Sequence, residues 1–199
     1  MDVTALILAA GSSKRMGRPK ALLATGGETF LARIARVLLA GGASRVRVVV
    51  GGPHHEPVEA AARALVASGA DLATIVNPAP GAGPVTSVRV GIAAVPGTEA
   101  YLIHPVDIPG VEREDVAAII ARAEADPGAD AVVPSVRMRR GHPLFLRAGC
   151  ARRLLAADSP GTVRELLRAP GVRVVHVVRE NEGLLRDIDE PGDLLAERG

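Results

Sequence analysis

Apolar positions along this chain come in blocks with two different periods. Val3 to Ala10 is an apolar run broken only by Thr4, and it stops at Gly11. A run of this length that ends in glycine and small polar residues reads as a buried strand feeding a loop. Thr29 to Ala40 then places Phe30, Ile34, Val37 and Leu38 on one face before Gly41-Gly42, an amphipathic helix with a glycine stop. Arg45–Val50 reads as a strand, Pro57–Ser68 as an alanine-rich helix, and Leu72–Val76 as a third strand ended by Asn77-Pro78. Val85–Val95 is helical in pattern, Ala100 opens a strand running to Asp107, and Val111–Ala125 is the next helix. Asp130–Val136 and the run to Leu146 flank the basic turn Arg137–Arg140, which suggests a hairpin or strand pair at the end of the sheet. Ala151–Ala169 reads as helix broken at Ser159-Pro160-Gly161, and Val172–Val178 as a late strand with His176 in the core or at an edge. Strands alternating with helices in this way predict βαβ units, a mostly parallel sheet, and one three-layer α/β/α domain over residues 1–199. In such sheets ligands bind at the carboxyl ends of the strands.

The loop after the first strand carries the densest chemistry. Lys14, Arg15, Arg18 and Lys20 put four cations into seven residues, next to Gly11, Ser12 and Ser13. Small residues let backbone N–H groups approach an anion, so the stretch reads as a phosphate-binding loop. It is not a P-loop: Gly11 and Gly17 are one residue too far apart, and Arg18-Pro19 follows. Nor is it a dinucleotide fingerprint, because Gly11 is followed by Ser12-Ser13-Lys14. A nucleotide-hydrolysing P-loop enzyme and a nicotinamide oxidoreductase are therefore disfavoured.

Composition sharpens this. Of 24 basic residues only Lys14 and Lys20 are lysines, and both lie in the loop. Lysine is a compact point charge suited to polyphosphate, although an arginine bias alone would also leave few lysines. The net charge is +2 and the aromatics are Phe30, Tyr101 and Phe145, so there is no stacking platform for single-stranded nucleic acid, and a small anionic substrate fits better. The lone Cys150 excludes an intramolecular disulfide and suits a reducing cytoplasm. A start without a basic segment and the lack of an 18-residue apolar stretch predict neither signal peptide nor membrane span.

Leu8-Ala9-Ala10-Gly11-x-Ser13-x-Arg15-Met16-Gly17-x-Pro19-Lys20 resembles the signature LAAGxSxRMGxPK of the MobA-like nucleotidyltransferases. Ala10 and Pro19, where guanylyl-transferring relatives usually carry Gly and Asp, make it most similar to the molybdenum cofactor cytidylyltransferases. The resemblance continues through residues 83–91, 105–109, 141–143 and 187–194, in the same order. It implies a Rossmann-like nucleotidyltransferase fold with a mostly parallel mixed sheet. It also implies that the loop backbone and side chains from Leu8, Ala9, Ala10, Gly11, Ser12 and Ser13, with Arg15 and Lys20, bind the nucleotide.

The later motifs each carry two readings. Thr86 and Ser87 lie in a first helical turn, where hydroxyls either cap the helix or bind a ligand. The resemblance to Gly-x-x-x-Ser-Val-Arg-x-Gly implies that Ser87 contacts the base, while Arg89 could equally be structural. Asp107 ends a strand between Pro105 and Pro109, a place for a Mg²⁺ ligand or for a helix cap. The resemblance to P-x-D-x-P implies the ligand; His104 reads as an ordinary strand residue. Arg137–Arg140 is a solvated turn or a clamp for an acceptor phosphate through Arg140, and Gly141-His142-Pro143 is similar to an element lining the acceptor pocket, which implies a contact from His142. Asp187 and Asp189 share a face if extended, which suits a cation, and Asp189 with Pro191 could also start a last helix. Asp189 is the second expected metal ligand and Asp187 its rival.

The implied reaction transfers a nucleoside monophosphate to a phosphate acceptor with release of pyrophosphate, using Mg²⁺ on Asp107 and Asp189 and the cations Arg15 and Lys20. By resemblance the substrates are CTP and molybdopterin cofactor, and a molybdoenzyme is a candidate partner. The alternatives are another base or a sugar, polyol or phosphonate acceptor, and a non-catalytic cofactor chaperone on the same fold.

Overall fold

The computed structural model describes residues 1–13, 15–190 and 192–193. Lys14, whose phosphate role was considered above, and the last helix expected from Pro191 onward lie outside the described residues, apart from Gly192 and Asp193. The elements are β1 (Val3–Leu8), a small hairpin of β2 (Ala24–Thr25) and β3 (Glu28–Thr29), α1 (Phe30–Ala40), β4 (Arg45–Val50), α2 (His55–Ala67), β5 (Leu72–Val76), α3 (Pro84–Ala94), β6 (Ala100–Pro105), α4 (Arg113–Ala125), β7 (Ala131–Val136), β8 (Arg139–Arg140), β9 (Leu144–Arg147), α5 (Ala148–Ala151), α6 (Val163–Leu166) and β10 (Val174–Val178).

The main sheet runs β10-β7-β9-β6-β1-β4-β5, with β8 folded onto β7. β1 is parallel to both β4 and β6, β4 to β5, and β7 to β10; β9 is antiparallel to both its neighbours. The chain leaves β1 toward β4 and β5, then returns to the other side of β1 for β6. That reversal of direction is a switch point, where open sheets of this kind leave a crevice.

Alternating side chains feed two cores, one on each face. Val3, Ala5 and Ile7 of β1, Ala100 and Leu102 of β6, and Phe145 of β9 pack under α1, α2 and α4. Leu6, Tyr101, Ile103, Leu144 and Leu146 pack on the opposite face with Val88 and Ile92 of α3 and the segment around α5 and α6. The expected mostly parallel, three-layer α/β/α Rossmann-like architecture is therefore present. Helix α1 begins where the sequence placed it, with the Thr29 hydroxyl accepting from the Ala32 N–H at 3.2 Å.

Two expectations are corrected. The strand pair after Asp130 is not at the sheet end: β9 is inserted between β7 and β6, because Leu144, Phe145 and Leu146 are all buried and need cover on both faces. The 151–169 stretch is not a long helix. It forms the short α5, a 3-10 turn over Arg152–Leu155 and the short α6, separated by the Ser159-Pro160-Gly161 break. His176 takes the second of its two expected places, at the sheet's edge on β10, and is exposed there.

Candidate active site

Parallel pairing puts Leu8 beside Pro105, so the loops after β1 and β6 leave the sheet side by side. Two further bonds extend this edge: the Val106 N–H donates to the Leu8 carbonyl at 3.2 Å and the Ala9 N–H to the Val49 carbonyl at 2.9 Å. The first loop then turns at Ser13, whose φ of 45° is left-handed. Such backbone costs on the order of 1–3 kcal/mol and persists only where the surroundings hold it. Here the Met16 and Gly17 N–H groups both donate to the Ser13 carbonyl at 3.1 Å, and Met16 is buried in the core. The Ser13 hydroxyl also accepts from the Lys20 N–H at 3.3 Å. Ala21 and Leu23 anchor the turn after Pro19 in the interior. Lys20 is thus held at the cleft by a loop pinned at both ends.

The β6 loop is equally braced. His104 is fully buried, and its Nε2 donates to the Ile108 carbonyl at 2.8 Å. Arg33 of α1 donates to the Pro109 carbonyl at 2.8 Å. Burial first, and the neighbouring His142 second, lower the His104 pKa to about 3, so it stays neutral and structural.

Asp189 arrives from the far end of the chain. Residues 181–189 cross the site as a 3-10 turn over Glu182–Leu185 followed by an irregular run to Asp189, and glycines allow the close approach. A Cβ on Gly183 would lie 2.6 Å from the Gly110 carbonyl, and one on Gly141 would lie 2.8 Å from the Leu184 carbonyl. The His142 N–H donates to that Leu184 carbonyl at 3.0 Å, and the Ile188 N–H to the Asp107 carbonyl at 2.8 Å. Leu184 and Ile188 are fully buried, which turns Asp187 and Asp189 toward the cleft.

The result is a charged cluster on one atom. The Lys20 ammonium donates to the Asp107 carboxylate at 2.9 Å and also to the Asp189 carboxylate. Arg15 donates to the other Asp189 oxygen at 2.6 Å and lies 3.5 Å from Glu190. Partial burial disfavours the Lys20 ammonium, but its bonds to Asp189 and Asp107 outweigh that and raise its pKa. The hydrogen bond from Lys20, aided by Arg15, holds the Asp189 carboxyl below its usual range. Asp107 and Asp189, the two expected metal ligands, already converge on one cation. Oxygen donors of this kind fit Mg²⁺, which takes one or two carboxylates and completes its shell with phosphate and water oxygens. Among the described residues no group of three or more His, Cys, Asp or Glu could hold a metal.

The cleft has two lobes. A cavity of about 450 Å³ carries the Gly11–Ser13 loop, Arg15, Lys20, Asp107 and Asp189. A second, of about 640 Å³, shares Leu8, Gly11, Ser12 and Asp107 with it and adds Ala10, Ser87, His142 and Asp187. Of the two acids weighed from the sequence, Asp189 reaches Lys20 and Asp187 lines the second lobe. Arg140 is the expected residue that is not brought in: it is exposed on β8 and lines neither lobe. The left-handed Arg137-Met138 turn fixes the parity of the hairpin, and Arg139 is the one that lines a neighbouring cleft with Arg186 and Asp187. Arg89 is structural, donating to the Leu154 and Pro160 carbonyls and the Ser159 hydroxyl.

Two residues escaped the sequence reading. Asn77, buried after β5, donates to both the Thr86 and Ser87 hydroxyls at 2.9 Å and accepts from the Ala79 N–H. It sets the orientation of Ser87. His54 Nε2 lies 3.0 Å from the Ser12 carbonyl and braces the loop from α2's side. Asn at a strand's carboxyl end before Pro78 was the available signal for the first; nothing local marked the second.

A model of the MobA-like NTP transferase domain matches residues 5–177. The nicotine blue oxidoreductase of Paenarthrobacter nicotinovorans is 32% identical over 152 residues, 74% of this chain and 72% of that one. Among solved structures, a nucleotidyl transferase from Methanothermobacter thermautotroptrophicus superposes with a TM-score of 0.79 at 24% identity, covering 99% of this chain and 96% of that one. Rv0371c from Mycobacterium tuberculosis superposes with a TM-score of 0.77 at 24% identity, covering 99% and 98%, and has also been solved in complex with manganese.

Proposed function

Because the chain belongs to the MobA-like NTP transferase domain family, we propose that it transfers a nucleoside monophosphate, CMP from CTP, to a phosphate-bearing acceptor and releases pyrophosphate. The observation that carries this is the convergence of Lys20, Asp107 and Asp189 beneath the Gly11–Ser13 loop. Asp107 and Asp189 are the residues that would hold Mg²⁺. Bound there, the cation supplies charge neutralisation for the triphosphate and the attacking acceptor oxygen.

The chain's own residues supply the rest. The loop from Ala10 to Ser13 receives the phosphates through backbone N–H groups, which small side chains leave accessible. Arg15 and Lys20 are cations of raised pKa, so both stay charged across the physiological range and stabilise the departing pyrophosphate. Ser87, oriented by Asn77, faces the second lobe and reads the base. His142 in the same lobe contacts the acceptor. Little covalent chemistry is asked of the protein; holding the attacking oxygen in line with the α-phosphorus accounts for much of the rate. The motifs around Ala10, Pro19 and Gly141-His142-Pro143 favour molybdopterin cofactor as acceptor, and the lone Cys150 suits a reducing cytoplasm.

The test is pyrophosphate release with Mg²⁺ and each of CTP, GTP, ATP and UTP against phosphate acceptors including molybdopterin cofactor. Release that depends on CTP and an acceptor is the expected result; no release with any pair would overturn the reading.

A second reading is favoured by one observation, the name of the 32% identical relative, an oxidoreductase. It predicts an oxidation–reduction reaction in place of nucleotidyl transfer. The lack of a GxGxxG glycine fingerprint ranks it below nucleotidyl transfer.

A further inference from the structure

Beside the second lobe lies a third cavity of about 470 Å³, of a different character. Leu8, Val85, Val88, Ile103, Leu144 and Val163 wall it, and it opens onto the charged cleft past Leu8, Pro84, Pro105 and His142, which the two cavities share. Its only lining residues with polar side chains are Thr162 and His142. The Thr162 hydroxyl accepts from the Glu165 N–H at 3.1 Å as the cap of α6, which leaves its O–H as a donor at the chamber wall. His142 is different: its Nδ1 is buried and has no hydrogen-bond partner. A buried polar atom without a partner is costly, and in native proteins it usually marks a missing ligand or water.

We propose that this chamber receives the body of the acceptor, and that the body is a weakly polar ring system rather than the pterin that the sequence motifs favour. The ligand is an acceptor only if the nucleotidyl-transfer reading above holds; the chamber's ligand class is independent of it. The argument is one of matching. Cavities of this size hold drug-sized molecules, lined mostly by apolar groups with a few placed polar ones. A sugar or polyol would bring a row of hydroxyls to walls that offer few partners, and each unpaired group would oppose binding. A pterin would have to keep its polar edge in the wider lobe beside Ser87 and Asp187. An uncharged ring loses nothing to these walls, and its phosphate would point through the mouth into the second lobe, which Asp107 lines beside Lys20.

The walls are rigidly held. Arg89 of α3 is bonded to the Leu154 and Pro160 carbonyls, which fixes the two sides of the chamber relative to each other. The chamber is thus formed before a ligand arrives, and little ordering opposes binding.

The experiment uses 1-naphthyl phosphate and glycerol 3-phosphate on the whole protein, followed by calorimetry and by CTP-dependent pyrophosphate release. The naphthyl ester should bind roughly 10²-fold more tightly than the glycerol ester. Val163→Asp and Val85→Asp, both in first helical turns where a carboxylate is tolerated, should weaken the naphthyl ester by roughly tenfold or more while CTP binding stays unchanged. Val163→Phe, which fills the space without charge, should do the same and guards against a folding defect. Equal affinity for the two esters, or naphthyl binding indifferent to all three substitutions, would overturn the proposal even if pyrophosphate release is robust. Val163-sensitive naphthyl binding without any pyrophosphate release would sustain the chamber and overturn nucleotidyl transfer instead.

Discussion

The backbone N–H of Ile188 donates to the backbone carbonyl of Asp107 at 2.8 Å, and this bond fastens the end of the described chain to the loop after the sixth strand. It sets Asp189 against Lys20, and it depends on the close crossing of Gly183 over Gly110. A Gly183→Ala variant, whose new methyl would meet the Gly110 carbonyl at 2.6 Å, should shift this segment. Misplacement of a positioned group by about 1 Å costs about 10²-fold in rate. We expect pyrophosphate release to fall by that order with circular dichroism unchanged; an unaffected rate would mean that the crossing does not position Asp189.

The two neighbouring acids should separate cleanly. Asp189→Asn removes a partner of Lys20 and should lower the rate about 10²–10³-fold and raise the Mg²⁺ concentration needed. Asp187→Asn, in the adjoining lobe, should cost less than about tenfold on the same scale. A Mg²⁺ titration of both variants checks this, and equal losses would contradict the assignment.

Much of this was legible in the sequence because it rests on local rules. The apolar run into Gly11, the helix opening at Thr29 and the strand leading toward Asp107 are each set by neighbours in sequence; the structure has all three, with the last strand closing at Pro105, two residues before Asp107. What was not legible depends on distant parts of the chain. Asp187 and Asp189 have the same local pattern, and only the docking of Leu184 and Ile188 decides which one meets Lys20. Arg140 and Arg139 differ by one step of alternation, set by the left-handed turn at Arg137 and Met138. The place of β9 inside the sheet follows from burial on both faces, which an apolar run of four residues does not announce.

The charged cluster carries a pH signature. The Asp189 pKa is depressed from its usual 3.8, so its contribution to stability is present above that value and is lost as pH falls through the lower folded value. The Lys20 pKa is raised above 10.5, so its contribution is present below that value and is lost as pH climbs through the higher folded one. Carbon-13 NMR of the carboxyls should show Asp189 titrating below 3.8, and Lys20→Met should move it upward. No movement would place the cause elsewhere.

Asn77 should act through Ser87. Asn77→Leu leaves the buried Ser87 hydroxyl and the Ala79 N–H without this partner, a loss of about 1–3 kcal/mol. For a chain of this length that lowers Tm by about 4–8 °C at the middle of the range. CTP binding should weaken as well; a Tm loss with unchanged CTP affinity would remove Ser87 from the nucleotide site.

The most direct test of the account is the rate of CTP-dependent pyrophosphate release in Lys20→Ala against the native protein at saturating Mg²⁺. If Lys20 stabilises charge on the leaving pyrophosphate, the loss is about 10²–10³-fold with the fold intact. A loss of less than about tenfold would contradict it, leaving Lys20 as a counter-ion for Asp107 and Asp189 and no more.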